Sequence, residues 1–124
     1  QINHMFKKEP SANRYIDNNR ETNEINYYVN YDSGKIHFND NKLDYQATNS
    51  QNYFIKENEP LSAKIIYKAD FFLQRIGWSI KAKSFLCVTC DENYFYLKGN
   101  IKTYEGKKKF IEKNWNTKVK RIIY

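Results

Sequence analysis

The residues best suited to chemistry in this chain are two cysteines in a Cys-x-x-Cys spacing, Cys87 and Cys90. That spacing is typical of thiol redox sites and supplies half of the ligands of a tetrahedral zinc site. The cysteines lie in a β-like run, in which residues three positions apart point to opposite faces. The sequence has no second cysteine pair to complete a zinc site. The pattern therefore predicts two small buried hydrophobic residues with diverging sulfurs.

A serine-hydrolase site is the second possibility, with Ser79, His4 and His37 as candidates. An α/β-hydrolase nucleophile needs Gly-x-Ser-x-Gly, but the nearest sequence, Gly77-Trp78-Ser79-Ile80-Lys81, lacks the second glycine. His4 lies in a ragged polar start, and the parity of His37 predicts a half-exposed strand residue. Neither histidine has cysteines or carboxylates at ligand spacing. The triad chemistry is therefore not visible in the sequence.

The remaining candidates are carboxylate pairs and one run that mixes aromatic and basic residues. The pairs Glu57 with Glu59 and Asp91 with Glu92 lie in expected turns, where acidic residues are ordinary. The run Tyr94–Lys98 could stack nucleic-acid bases on a sheet face. It is better explained as an ordinary strand with tyrosines on its solvent-exposed face. No glycine loop that cradles phosphate is present. We expect no catalytic, cofactor-binding or metal-binding residue, and no cofactor.

The elements that position these residues are β-strands, because apolar and polar residues alternate along most of the chain. Turn sequences separate the alternating runs, and no stretch has a 3.6-residue period. We predict an all-β fold, an antiparallel meander that forms a sandwich or a partly closed barrel, jelly-roll-like in character. The expected strands and turns are Ile25–Tyr31, a return from Ile36, short strands at Leu43–Tyr45 and Tyr53–Ile55 around a polar loop, a break at Lys56–Pro60, and long strands from Leu61, Trp78, Tyr94 and Lys108.

The domain organisation follows from where this alternation begins. Residues 1–22 are polar, and we expect an irregular lead-in there, followed by a single antiparallel β domain over residues 23–124. The length of 124 residues is that of one domain. The chain starts without methionine, and we expect it to be part of a longer protein.

Composition and charge narrow the function classes. The net charge of +7 admits an anionic partner, but the basic residues are spread out and the chain is rich in Asn, Lys, Ile and Tyr. That skew is typical of AT-rich coding sequence, so we do not expect nucleic acid as the main partner. No apolar run approaches the length of a membrane helix, so we expect no membrane association and a cytoplasmic location.

Four segments of the second half carry a family resemblance. Glu57–Lys64 resembles an Asp-Asp-Pro-Leu-Ser-Ala segment, and Leu73–Ile80 resembles an Arg-Gly-Asp-Trp strand entry. Phe95–Leu97 with Thr103–Gly106 resembles a Phe-x-Leu … Ala-Tyr-Glu-Gly hairpin, and Phe110–Trp115 with Lys120-Arg121 resembles its closing strand. In this order they resemble the extreme C-terminal part of CocE/NonD-type hydrolases, which belong with the X-Pro dipeptidyl-peptidases of the S15 family.

The resemblance implies a parent serine hydrolase with an α/β-hydrolase domain, a cap and a C-terminal jelly-roll-like domain. The family's Ser, His and Asp lie upstream of the matched region, so none of them maps onto this chain. It implies a non-catalytic accessory domain that packs on the catalytic α/β-hydrolase domain and helps to shape the substrate cleft. We expect one outer apolar face on such a sheet. Two alternatives remain: an independent basic β-module that binds nucleic acid or another anionic partner, and a lipocalin-like barrel around an apolar ligand.

Overall fold

The computed structural model describes residues 4–122, and these residues form one antiparallel sheet of nine strands. The all-β antiparallel meander expected from the alternation is confirmed, and the sheet does not close into a barrel. The strands are β1 (His4–Lys8), β2 (Ser11–Asn19), β3 (Glu24–Asp32), β4 (Lys35–Phe38), β5 (Leu43–Lys56), β6 (Glu59–Arg75), β7 (Trp78–Cys90), β8 (Tyr94–Glu105) and β9 (Lys108–Lys120).

The nine strands correspond to seven long strands, because β1 and β2 are two parts of one interrupted strand and β3 and β4 are two parts of another. β1 pairs with β4 and β2 pairs with β3, so the first four strands form a single long hairpin with a break in each arm. β5 pairs with both β3 and β4 along one edge. β6, β7, β8 and β9 then follow in chain order. Neighbours along the chain are therefore neighbours in the sheet, which needs only short connections.

The prediction of an irregular lead-in over residues 1–22 is wrong for most of that segment. Residues 4–8 and 11–19 are strands, whereas residues 1–3 lie outside the described part of the chain. The sequence of β2 has few apolar residues and little alternation, and every residue of the strand is exposed. Its strand form comes from the continuous ladder to β3, from Ser11 opposite Asp32 to Asn19 opposite Glu24. Pairing with a patterned neighbour thus overrides a weak local preference.

The polar stretch expected as a loop inside residues 43–56 is also a strand. β5 runs without interruption from Leu43 to Lys56, and it is paired on both edges. Its many Asn, Ser and Gln residues are poor strand formers by themselves. Two flanking ladders hold this backbone extended, so the sheet decides its conformation. The expected break at Lys56–Pro60 is a tight turn, with Lys56 opposite Glu59 across two residues.

The break between β3 and β4 is held by Ser33 and Gly34. The Ser33 amide donates to the Ala47 carbonyl at 2.8 Å, and the Ala47 amide donates to Ser33 Oγ at 2.9 Å. Asp32 Oδ1 accepts the Gly34 amide at 2.8 Å, and Asp32 Oδ2 is paired with Lys8 at 2.9 Å. A Cβ on Gly34, whose φ is +76°, would lie 2.3 Å from the Lys8 carbonyl oxygen. Only glycine fits here, because the break between β3 and β4 lies against the break between β1 and β2.

The sheet has one layer, and this determines how its side chains are exposed. No hydrophobic side chain of residues 4–122 is buried, and most residues of the central strands are half-buried. In this part of the chain there is also no helix with the length and apolar character needed to cross a membrane. The hydrophobic side chains are therefore shielded only by their neighbours on the same face.

Candidate functional surface

The sheet has one apolar face and one polar face, and the register assigns each side chain to one of them. Side chains alternate along a strand, and residues opposite each other in a ladder share a face. The row Tyr27–Tyr53–Ile65–Val88–Leu97 crosses five strands on the apolar face. The next residue of each strand belongs to the polar face, as in the row Tyr28–Asn52–Ile66–Cys87–Lys98.

The apolar face is continuous from β1 to β9. A second row on it joins Ile36, Tyr45, Leu73 and Ile80. Most of the large hydrophobic side chains that are strongly exposed lie on this face: Phe6, Ile16, Tyr31, Tyr53, Ile55, Ile65, Phe95, Ile111, Trp115 and Val119. An apolar surface that spans a whole sheet is much larger than the scattered exposed residues of ordinary monomers. It is the expected signature of a surface that another layer covers.

The accessible area supports the same conclusion. The chain exposes 9453 Å², whereas a compact monomer of this mass exposes about 7,000 Å². The excess is roughly 2,400 Å², which reaches the upper part of the area that one partner contributes to an obligate interface, roughly 1,000–2,500 Å². The apolar face is thus large enough to be half of a permanent interface or of a two-layer core.

Trp115 and Gly99 form the tightest contact on the apolar face. They are opposite each other in the β8–β9 ladder, and the Trp115 ring lies over Gly99. A Cβ on Gly99 would lie 2.2 Å from two atoms of that ring, so a side chain there would displace it. A glycine inside a strand often marks a bulge or a close approach, and Gly99 marks a close approach. Trp115 retains 41% of its exposure, so the top of the ring remains available to a covering layer.

Arginines lie at two edges of the apolar face. The Arg75 guanidinium lies over the Trp78 ring, 5.7 Å from its centroid, and that of Arg121 lies over Phe95 at 5.3 Å. Arg121 Nη1 also donates to the Asp91 carbonyl at 2.8 Å. An arginine stacked on an aromatic ring keeps donors free for carboxylates of a partner. The apolar face is therefore bordered by groups that can orient a covering domain.

The acidic turn residue Asp91 is structural. Its carboxylate accepts the amides of Asn93 and Tyr94, both at 2.8 Å, and the hydroxyl of Tyr96. The hydrogen bond from Tyr96, followed by those from the two amides, lowers the pKa of Asp91 below its ordinary value. The same bond raises the pKa of Tyr96. Asp91 therefore stays ionised and closes the β7–β8 turn.

The structure separates the other candidates for chemistry. Cys87 and Cys90 are free, and the register places them on opposite faces, as expected. The expectation that both are buried is wrong, because both are only half-buried in the one-layer sheet. Ser79 lies on the polar side of β7 near its start, and its carbonyl accepts the Gly106 amide at 3.0 Å. His4 lies on the apolar face, where its ring meets Phe6 edge-on with centroids 5.6 Å apart. These residues do not come together.

One hydrogen-bonded pair of a type found in active sites, His37 with Asp44, was not predicted from the sequence. His37 Nδ1 donates to Asp44 Oδ1 at 2.7 Å, and Lys7 Nζ donates to Asp44 Oδ2 at 3.0 Å. Burial raises the pKa of Asp44, but the hydrogen bonds from His37 and Lys7 outweigh it, so the pKa of that carboxyl lies below its ordinary value. The β4–β5 hairpin register, with its turn at residues 39–42, could have shown that His37 and Asp44 are opposite each other.

No Ser or Cys hydroxyl or thiol is hydrogen-bonded to the His37–Asp44 pair among the described residues, so the pair does not form a nucleophilic triad. Within residues 4–122 there is also no group of three His, Cys, Asp or Glu side chains arranged to hold a metal ion.

The main candidate site is therefore the apolar face. Comparison of the chain with protein-family models, with curated proteins and with solved structures found no match.

Proposed function

We propose that this chain is the C-terminal accessory β domain of an X-Pro dipeptidyl-peptidase/CocE-like serine hydrolase. It is not catalytic itself. Its apolar face packs on the α/β-hydrolase domain of the parent protein, and its edge helps to shape the substrate cleft. The hydrolase would cleave esters or amides through an acyl-enzyme on its own serine.

The observation that carries the proposal is the uncovered apolar face. A one-layer sheet without a buried hydrophobic side chain in its described part gains most of its stability when a second layer removes that face from water. The exposed apolar side chains continue across central strands and the edge strand β9, so a small ligand could cover only a fraction of them. A domain-sized partner fits this surface better than a small molecule does.

The positions of the resembling segments agree with this arrangement. Glu57–Lys64 and Leu73–Ile80 span the turns at the two ends of β6, and Thr103–Gly106 leads into the turn between β8 and β9. Phe110–Trp115 lies in β9 and contributes Ile111 and Trp115 to the apolar face. The resemblance therefore concerns the turns that set the meander and the face that would be covered.

The test uses the polypeptide encoded by the gene that contains this chain, together with any adjacent reading frame. We expect an upstream Gly-x-Ser-x-Gly segment, and hydrolysis of nitrophenyl esters or X-Pro amides by the intact protein. We expect no turnover by this chain alone. Ile65→Asp should lower the activity or the yield of the intact hydrolase at least tenfold, because it places a charge in the covered face. Lys64→Asp, at the neighbouring position on the polar face, is the matched control.

Two results would overturn the proposal. One is a gene product without any hydrolase sequence upstream of this chain. The other is turnover by the chain alone that survives Ser79→Ala and disappears in His37→Ala, since that would place a catalytic site within this sheet.

A second candidate function, binding of a nucleic acid or another anionic partner, is favoured by one observation. Seven lysines of β7, β8 and β9 share the polar face, namely Lys81, Lys83, Lys98, Lys102, Lys109, Lys118 and Lys120. The described acidic groups balance them only in part. Among these lysines, Lys102 and Lys109 form ion pairs, at 3.6 and 2.8 Å, and both pair with the same carboxylate, Glu112. A lysine surface of this kind binds phosphates with an affinity that falls steeply with salt.

The measurement for this second candidate is a titration with a single-stranded oligonucleotide at 50 mM and then 200 mM salt. Binding that weakens by about tenfold or more would support it. Absence of binding at the lower salt concentration would exclude it. The double variant K83E/K98E should abolish any such binding, because both lysines lie at the centre of the lysine surface.

A further inference from the structure

The polar face contains a groove on the side of the sheet away from the lysines of β7, β8 and β9. Two neighbouring depressions of about 290 and 240 Å³ share three lining residues, Asn30, Ser50 and Lys68. The register explains the continuity, because the row Asn13–Asn30–Ser50–Lys68 crosses β2, β3, β5 and β6. We call these two depressions the polar groove. Three inter-strand spacings make it about 14 Å across.

Four polar side chains of this groove are not used to hold the fold together. The side chains of Asn13, Asn30, Thr48 and Ser50 make no hydrogen bond to another described residue. Each amide offers both donors and an acceptor, and each hydroxyl can do either. Polar side chains without intramolecular partners on a half-buried surface are available to a ligand with many hydrogen-bonding groups.

A fifth polar side chain, that of Asn52, also lines the groove. Asn52 lines the second depression, and its Oδ1 is shielded from solvent without a hydrogen-bond partner among residues 4–122. An unsatisfied amide oxygen of this kind has a cost that a donor group would remove. The amide of Asn52 is therefore an unmet requirement for a partner at this position.

The groove ends on an aromatic platform. Tyr15 and Tyr28 are opposite each other on β2 and β3, and their rings are stacked with centroids 4.7 Å apart. Tyr15 keeps 54% of its exposure, so one side of the platform is open. A tyrosine ring offers a flat apolar body together with a polar hydroxyl. Such a platform suits the apolar C–H side of a sugar ring, while the hydroxyls of the sugar reach the amides.

The charges of the groove do not favour an ion of either sign. Lys68 and Asp70 lie on the polar face of the same strand, two residues apart, and carry opposite charges. Asp32, at the far end, is already held by Lys8 and Gln46, and the hydrogen bond from Lys8 lowers its pKa. A groove with balanced charges and many neutral donors and acceptors matches a neutral ligand that is dense in hydroxyl groups.

We propose that the polar groove binds a neutral oligosaccharide, with one ring on the Tyr15–Tyr28 platform and its neighbours hydrogen-bonded to Asn30, Ser50 and Asn52. The site is on the face opposite to the one that would dock on a hydrolase domain. It does not rest on the proposed function, and either can fail without the other.

The test is calorimetric titration of the full chain with neutral hexasaccharides built from glucose, mannose, galactose, xylose or N-acetylglucosamine. We expect one of these probes to bind with a dissociation constant in the micromolar to millimolar range. Asn30→Ala and Tyr15→Ala should each weaken it about fivefold or more, because each removes a hydrogen bond or the stacking surface. Asn13→Ala, at an exposed position of β2, repeats the test without risk to the interior of the sheet.

Asn116→Ala is the control, since Asn116 is an exposed amide on the polar face of β9, outside the groove. Its affinity should equal that of the unchanged chain. The proposal is overturned if none of the hexasaccharides binds to the folded chain, or if binding is unaffected by the groove variants. It is also overturned if the groove variants weaken binding of the oligonucleotide dT12 and no sugar binds, since the groove would then serve a polyanion.

Discussion

Gly34 and Gly77 offer a matched pair of substitutions that tests the break between β3 and β4. Their φ angles are +76° and +78°, so alanine meets the same conformational penalty at both positions, about 1–2 kcal/mol. The space around them differs. A Cβ on Gly77 would have no heavy atom within 4 Å, whereas a Cβ on Gly34 would lie 2.3 Å from the Lys8 carbonyl oxygen and 2.7 Å from the Pro10 nitrogen.

The extra cost at Gly34 can be worked out from what must move. The contacted atoms belong to backbone, so the two breaks must separate by about an ångström, at an overpacking cost of about 1–3 kcal/mol. That shift also strains the two hydrogen bonds between Ser33 and Ala47, each worth about 1 kcal/mol. We therefore expect Gly34→Ala to reduce the free energy of unfolding by about 2–4 kcal/mol more than Gly77→Ala does.

Urea unfolding followed by far-UV circular dichroism, at one protein concentration for all variants, measures this difference. Hydrogen exchange adds a local readout, because the Ala47 amide should lose protection in Gly34→Ala and keep it in Gly77→Ala. If the two variants are equally stable within about 0.5 kcal/mol, the close contact of the two breaks does not exist and the reasoning is refuted.

Three further substitutions test other parts of the account. Gly99→Ala should push the ring of Trp115 off β8 and shift its fluorescence to longer wavelength; an unchanged spectrum in a Trp78→Phe background would contradict the contact. Asp91→Asn should lose more stability at pH 7 than at pH 3. The folded-state pKa of Asp91 is lowered, so its contribution is complete above the ordinary aspartate value of about 4 and disappears as the pH falls through the lower folded value; equal losses at both pH values would argue against it. Ile65→Asp should reduce self-association and hydrophobic-dye binding of the isolated chain in comparison with Lys64→Asp, and no difference between the two would mean that the apolar face is not open.

The sequence was sufficient for the parts of the fold in which alternation is strong. β6, β7 and β8 alternate between apolar and polar residues along most of their length, so the shared face of Ile65, Leu86 and Leu97 could be assigned from position alone. The diverging directions of Cys87 and Cys90 followed from the same rule, and the register confirms them. Period-two patterning carries this information because each strand position fixes a face.

The N-terminal strands and the middle of β5 could not be recognised in this way. Most residues of β2 and of the middle of β5 are polar and are poor strand formers. Their strand form comes from the ladders to neighbouring strands. The same non-local pairing creates the polar groove. Asn13, Asn30 and Ser50 belong to three strands, and only the register brings them into one row.

Photo-crosslinking from the apolar face of the intact gene product identifies the polypeptide that covers this face. A benzoylphenylalanine at position 65 replaces Ile65 in the row that crosses the centre of the sheet, and the same group at position 64 reports on the polar face. We expect position 65 to crosslink to the proposed Gly-x-Ser-x-Gly hydrolase domain and position 64 not to do so. Crosslinks from position 65 only to a second copy of this chain, or equal yields from both positions, would contradict this expectation.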